Sequence, residues 1–494
     1  MEHPLVRKTV LTLQIILLFC FLLTTASAES VNISEIRDLI PAGMDIDEQT
    51  INELFHPEPI VSEADTPFID TLSSEGFEIQ QGAIVKVDFI KLAELGMLPD
   101  AEGNNADNPY YAFALPRSPG QTVVNDHEYP NEMSRNFRLK PDEAVLMIGK
   151  TPSGVLFYNY PSFMIYRTVG SERAIIFAGL GDSVNIGTVK AETGTDGFDE
   201  PILMIYSADK TVAERVKSLA LAAGYPESMI HIKEIPFPMV NMGLEEDDDS
   251  FAFGIRTAVY ETPEVKDQFM SDVYTMYRVY RLTPNITENL DPYPVPDLRI
   301  RGTGKTEFDL MPSVKELREA IIAAYPDYSY EEMETGISFP ESPQVMQNNE
   351  KAYGENRDAA YLGSEKFTLN EGQFAVSYGV NHMASGKAVY SNIVAYGAEK
   401  INGVISVDST KFEGGASRYI PDDPNAPMLY AYLITRTDST EPFTVVVPQG
   451  PYLEGIPLDE EMWIGWRAYM EPETNVGPTY PELVYDKVIV FTPR

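Results

Sequence analysis

The chain has 494 residues, of which 75 are acidic and 37 basic, giving a formal net charge of −38, and it contains one cysteine. A field of that sign repels phosphate backbones, so nucleic acid is excluded as a natural partner. The lone Cys20 rules out intramolecular disulfides, cysteine–zinc sites and iron–sulfur clusters, so core burial must hold the chain together.

The N-terminus has the pattern of a secretory signal over residues 1–28. Arg7 and Lys8 form a positive start, Ile15 to Leu23 an apolar core, and Ala26-Ser27-Ala28 a cleavage pattern. Cleavage near Ala28 places the mature chain outside the cytoplasm, and no later apolar run is long enough to span a membrane. Residues 29–76 form an N-terminal arm in which Ile36, Leu39 and Ile40, then Ile51 and Leu54, recur at helical spacing.

Residues 77–283 predict a mixed α/β sheet domain. Ala144 to Ile148, Val155 to Tyr160, "AIIFAGL" and "PILMIYS" are strand-like apolar runs. After the strand Ile202 to Tyr206, Asp209 caps a helix whose apolar stripe is Val212, Val216, Leu219 and Ala223. Gly224 stops it, and His231 to Ile235 resumes as a strand. "SFAFGIRTAVY" and "VYTMYRVYRL" read as two further strands. Residues 284–300 are a proline-rich linker holding the acceptor pattern Asn285-Ile286-Thr287; Asn32 begins a second such pattern.

Residues 301–370 read as a helix followed by an irregular connector. Ser313 and Glu316 form a capping box, Val314, Leu317, Ile321 and Ala324 share a face, and Pro326 ends the helix. Residues 371–494 hold seven strand-like segments, from "QFAVSYGV" to "KVIVFTP", and predict an antiparallel β-sandwich-like domain. The fold class is α+β.

Four constellations carry candidate chemistry. "RIRGTGKTEF", Arg299 to Phe308, ends like a phosphate-binding loop, but Arg299 stands where the first glycine of that motif belongs. No strand feeds the loop, and Pro312 delays the helix, so Gly302 and Gly304 are expected to make a tight turn instead. "AGLGDSVN" places Asp182 and Ser183 after an apolar strand and resembles the nucleophile block of GDS-type esterases, without that family's Asp-x-x-His base. In "YGVNHMASGKAVYSN", Asn381, His382, Lys387 and Tyr390 flank an expected hairpin turn at Ala384-Ser385-Gly386 and could converge as a ligand-binding face. "DAEGNNADN" spreads Asp100, Asn104 and Asp107 as candidate calcium ligands, while "GLEEDDDSF" lacks an EF-hand spacing and suits a solvated turn.

Five segments, "FAGLGDSVN", "SADKTVAERVKSLALAAGYP", "RGTGKTE", "YGVNHMASGKAVYSN" and "RAYMEPETNVGP", resemble uncharacterised exported α+β proteins of two-part architecture with no assigned activity. That resemblance implies an architecture and no catalytic residue. The residues themselves favour a secreted globular protein that binds an extracellular small molecule or a surface partner. The alternative is an extracellular esterase-like hydrolase using Ser183 and His382, for which the two side chains must meet.

Overall fold

The computed structural model describes residues 57–60, 62–189, 196–286, 289–450 and 453–494. The signal segment, Asn32 and the expected helices between Ile36 and Leu54 lie outside the described residues. No described helix is long and apolar enough to cross a membrane. Strands dominate, and they form several largely antiparallel sheets with a few helices packed on them.

The first sheet runs in the order Phe77–Gln81, Arg278–Pro284, Ala144–Lys150, Pro201–Ser207, Ile230–Glu234. Its last pair is parallel, joined by the helix Lys210–Ala222. Asp209 accepts hydrogen bonds from the N–H groups of Thr211 and Val212, and Gly224 follows the helix at φ +95°. Both faces of this sheet are buried, and the period of two along each strand sorts its side chains into separate cores. Val145, Met147, Ile202 and Met204 face the second sheet, whereas Leu146, Ile148, Leu203 and Ile205 face the helices Thr66–Ser74 and Lys210–Ala222.

The second sheet is organised by the strand Ser250–Tyr260. One edge pairs with Tyr110–Pro116, and the other pairs in succession with Val155–Tyr160 and Ser162–Val169, separated by Pro161. The expected strand "VYTMYRVYRL" is half helix: Thr262 caps Pro263–Met276, and the strand begins at Arg278. Phe269 and Val273, four residues apart, are the helix's buried contacts, a helical spacing hidden by the β-branched and aromatic composition.

Residues beyond the linker build two five-stranded sheets. One is Tyr328–Met333, Lys487–Pro493, Phe374–Val380, Leu429–Thr435 and Thr444–Val446; the other is Thr335–Ile337, Ala359–Ser364, Met462–Tyr469, Tyr390–Gly397 and Gly403–Asp408. Ala375, Val488 and Val490 of the first meet Ile393, Ile464 and Trp466 of the second in one core. The alternate residues Val376, Ile489 and Phe491 pack under the helix Met311–Ala324 through Leu317 and Ile321.

Three expectations change here. The stretch expected as irregular contributes Tyr328–Met333, Thr335–Ile337 and Ala359–Ser364. Phe374–Val380 and Tyr390–Gly397 lie in different sheets, so the segment between them crosses the sandwich and is no hairpin. The capping box does not form: Pro312 sits in the first helical turn, and Ser313 lies inside the helix, accepting a bond from Asn425 at 3.0 Å. The linker is extended but pinned, with Tyr293 buried and its N–H donating to Ala208 at 2.8 Å.

Candidate functional site

The glycine loop binds an internal anion. The N–H groups of Thr303 and Gly304 donate to the Glu482 carboxylate at 3.1 and 2.7 Å, Gly302 and Gly304 having φ of +88° and +79°. A Cβ on Gly302 would lie 2.7 Å from Glu482 Oε1, so glycine is required for this approach. Lys387 closes the arrangement with ion pairs to Glu482 and Glu471. Burial alone would lower the Lys387 ammonium, but the two carboxylates raise it above its ordinary value. The segments "RGTGKTE", "YGVNHMASGK" and "RAYMEPE" thus converge on one polar network that ties the crossover to the strand ends.

His382 belongs to its other half. Its Nδ1 lies 2.8 Å from Glu307 and its Nε2 3.2 Å from Asp486, all three side chains being buried. Burial would push the imidazole down, yet the flanking carboxylates raise it to about 10, which makes it a fixed cation rather than a base. Ser183 donates to Asn356 at 3.2 Å, and Asp182 is taken by Arg357 at 2.7 Å and the Arg299 N–H at 2.6 Å. The esterase pairing of Ser183 with His382 is therefore not assembled: each is committed to a different buried neighbour. Asn381 caps the crossover by accepting from the N–H groups of Met383 and Ala384, and Tyr390 stacks on Tyr469 with centroids 4.4 Å apart. Asn381, Lys387 and Tyr390 are thus engaged by three different sets of neighbours.

The proposed calcium ligands also separate. Asp100 pairs with Lys351 at 2.9 Å, Asn104 exchanges two hydrogen bonds with the Gly403 backbone, and Asp107 offers its backbone oxygen to Lys266. Among the described residues no group of three or more His, Cys, Asp or Glu could hold a metal ion. In "GLEEDDDSF", Asp248 accepts from the Glu245 N–H and Asp249 pairs with Arg167, closing a turn.

The loop of Asp100 to Asn104 matters for another reason. Glu102, Gly103 and Asn104 form one wall of a cavity of about 130 Å³ between the second sheet, the segment around Tyr353 and Arg467 of the strand Met462–Tyr469. Aromatic side chains supply much of the rest, and Phe89, Tyr110, Phe163, Phe177 and Tyr353 among them are half-buried. Two glycines keep it open. Gly103 and Gly354 have φ of +63° and +66°, and a Cβ would lie 2.9 Å from Phe339 and 2.7 Å from Phe177 respectively. Phe177 itself holds φ 45°, its ring 5.0 Å from Phe163 and 6.0 Å from Phe89.

The charged groups on this wall are unusual for a buried apolar space. Glu102 is 4 % exposed, with Oε1 2.8 Å from Lys351 Nζ and Oε2 without a hydrogen-bond partner among the described residues. Burial drives its carboxyl up to about 7 despite Lys351. Arg135, Arg256 and Arg467 also line the cavity, each buried and each bonded to tyrosine hydroxyls. For Arg256 and Arg467 the sequence signal is a single arginine set in a largely apolar strand, "SFAFGIRTAVY" and "MWIGWRAYM". That signal is ambiguous, because "VYRLTP" carries the same pattern and there Arg281 pairs with Glu143 at 2.8 Å.

No family model matches the chain, and no curated protein matches it. Among solved structures the chain is similar to the partial N-terminal region of an enterococcal surface protein, at 8% identity and a TM-score of 0.17, covering 82% of this chain and 86% of that one. A TM-score at that level supports no statement about shared fold or function.

Proposed function

We propose that this is an exported binding protein that takes a small, largely apolar molecule into the cavity between its second sheet and the Tyr353 segment. The observation that carries this is a cavity walled by half-buried aromatic rings and kept open by Gly103 and Gly354, at positions where any side chain would collide. Concave sites with apolar walls and a few placed polar groups are where small ligands bind. A volume of about 130 Å³ is close to the roughly 150 Å³ of an apolar cavity that accepts benzene. The signal pattern at residues 1–28 supports export, and the commitment of His382 to Glu307 and Asp486 argues for binding over ester hydrolysis.

Trp463, one of two tryptophans, lies 6.4 Å from Phe339 on the cavity wall and reports on the site. Titrating ring-sized compounds into the chain from Glu29 should shift tryptophan emission saturably. Ala252→Phe, which fills the cavity from the strand Ser250–Tyr260 without removing a hydrogen bond, should abolish the response. An equal response in wild type and Ala252→Phe would place binding elsewhere and sink the proposal.

A further inference from the structure

We propose that the ligand of this cavity is a small aromatic or aliphatic carboxylate, its acid group held by the guanidinium of Arg256 with Arg467 beside it. This rests on the binding site proposed above and adds the chemical class of the ligand.

The chain carries 75 acidic residues, yet neither arginine has a carboxylate within ion-pair distance among the described residues. Some well-buried arginines do: Arg281 meets Glu143 at 2.8 Å and Arg357 meets Asp182 at 2.7 Å, whereas Arg135 is held by the Tyr129 hydroxyl and Arg436 by backbone carbonyls. Arg256 is 6 % exposed, donates one Nη2 bond to the Tyr469 hydroxyl, and leaves its buried Nε without a partner among the described residues. Arg467 is 5 % exposed and donates to Tyr469, Tyr396 and the Gly103 carbonyl. An uncompensated buried cation costs several kcal/mol, so its retention calls for a counter-charge that no carboxylate among the described residues supplies.

The planar guanidinium fork fits the two oxygens of a carboxylate. The aromatic walls fit the body of the acid, and the volume limits that body to about one ring. Among the described residues, Tyr469 is the internal competitor that both arginines touch. Burial would raise its phenol, but Arg256 and Arg467 hold it below the ordinary tyrosine value.

The test is calorimetric titration of the chain from Glu29 with benzoate, benzyl alcohol and inorganic phosphate, on wild type, Arg256→Met and Arg467→Met. Benzoate should bind wild type, and Arg256→Met should weaken it about 10- to 100-fold, the worth of a charged hydrogen bond. Benzyl alcohol should bind both forms alike. Unliganded Arg256→Met should resist urea at least as well as wild type, because it loses an unpaired charge.

If benzoate and benzyl alcohol bind equally in wild type, the cavity binds ligands but does not read the acid, and this inference alone falls. Failure of both to bind overturns the cavity reading with it. Phosphate binding as tightly as benzoate would show that the apolar body is not recognised. Tyrosinate absorption at neutral pH, lost in Tyr469→Phe, would make Tyr469 the counter-ion and overturn the proposal. So would a marked loss of stability in both unliganded arginine variants.

Discussion

His382 shows how a single side chain changes meaning once its neighbours are known. Free in a loop it would titrate near 6.5; between Glu307 and Asp486 it stays protonated to about 10. A cation whose folded value lies above its unfolded value stabilises fully below the unfolded value and loses that contribution as pH rises through the folded one. Wild-type stability should therefore fall between about pH 6.5 and 10 in part because of this residue. In His382→Gln, urea unfolding at neutral pH should show a loss of about 3–5 kcal/mol, since two buried carboxylates lose their cation. The gap should narrow as pH approaches 10. Parallel stability curves across that range would show that His382 carries no charge in the fold. The arginines follow the same logic. Arg256, Arg281 and Arg467 look alike in sequence, and their different roles come from whether a carboxylate on a distant segment, such as Glu143, reaches them.

Helix starts separate local chemistry from packing at the scale of elements. Asp209 precedes Lys210–Ala222 and makes both expected cap bonds, because Thr211 and Val212 expose their N–H groups in the first turn whatever surrounds them. Ser313 and Glu316 carry a cap pattern equally plain in sequence, yet Pro312 is accommodated within the first turn and the helix begins at Met311. Asp209→Ala should cost about 1 kcal/mol, the usual worth of a cap, and Glu316→Ala close to nothing, both read from denaturant midpoints. Equal losses would mean that the capping box exists in solution. Strand existence was legible in the same local way: the β-rich segments from "QFAVSYGV" to "KVIVFTP" all contain strands. Their pairing was not. The crossover 381–389 has the length and turn residues of a hairpin, and which sheet receives Tyr390–Gly397 is decided by Met462–Tyr469 and Gly403–Asp408.

Across the whole molecule, the outer face of the sheet containing Ala359–Ser364 is buried against the N-terminal half. Tyr390 and Tyr469 stack there, and Phe157 lies 5.4 Å from Tyr469. Asp358 is fully buried and accepts from Asn159 at 2.6 Å and Asn185 at 2.8 Å, which binds the two halves through a polar contact. Separating the halves would expose these rings and strand that carboxylate, so scanning calorimetry should show one unfolding transition. Two resolved transitions would show that the halves are energetically independent. The composition, the export pattern, the positions of most strands and the capped helix Lys210–Ala222 follow from the sequence by itself, because they rest on side-chain chemistry within a few residues. The tertiary structure alone decided that the glycine loop binds Glu482, that Ser183 and His382 are held by different neighbours, and that three arginines line one cavity with aromatic walls. Each of those depends on partners up to hundreds of residues away, which local periodicity and capping do not encode.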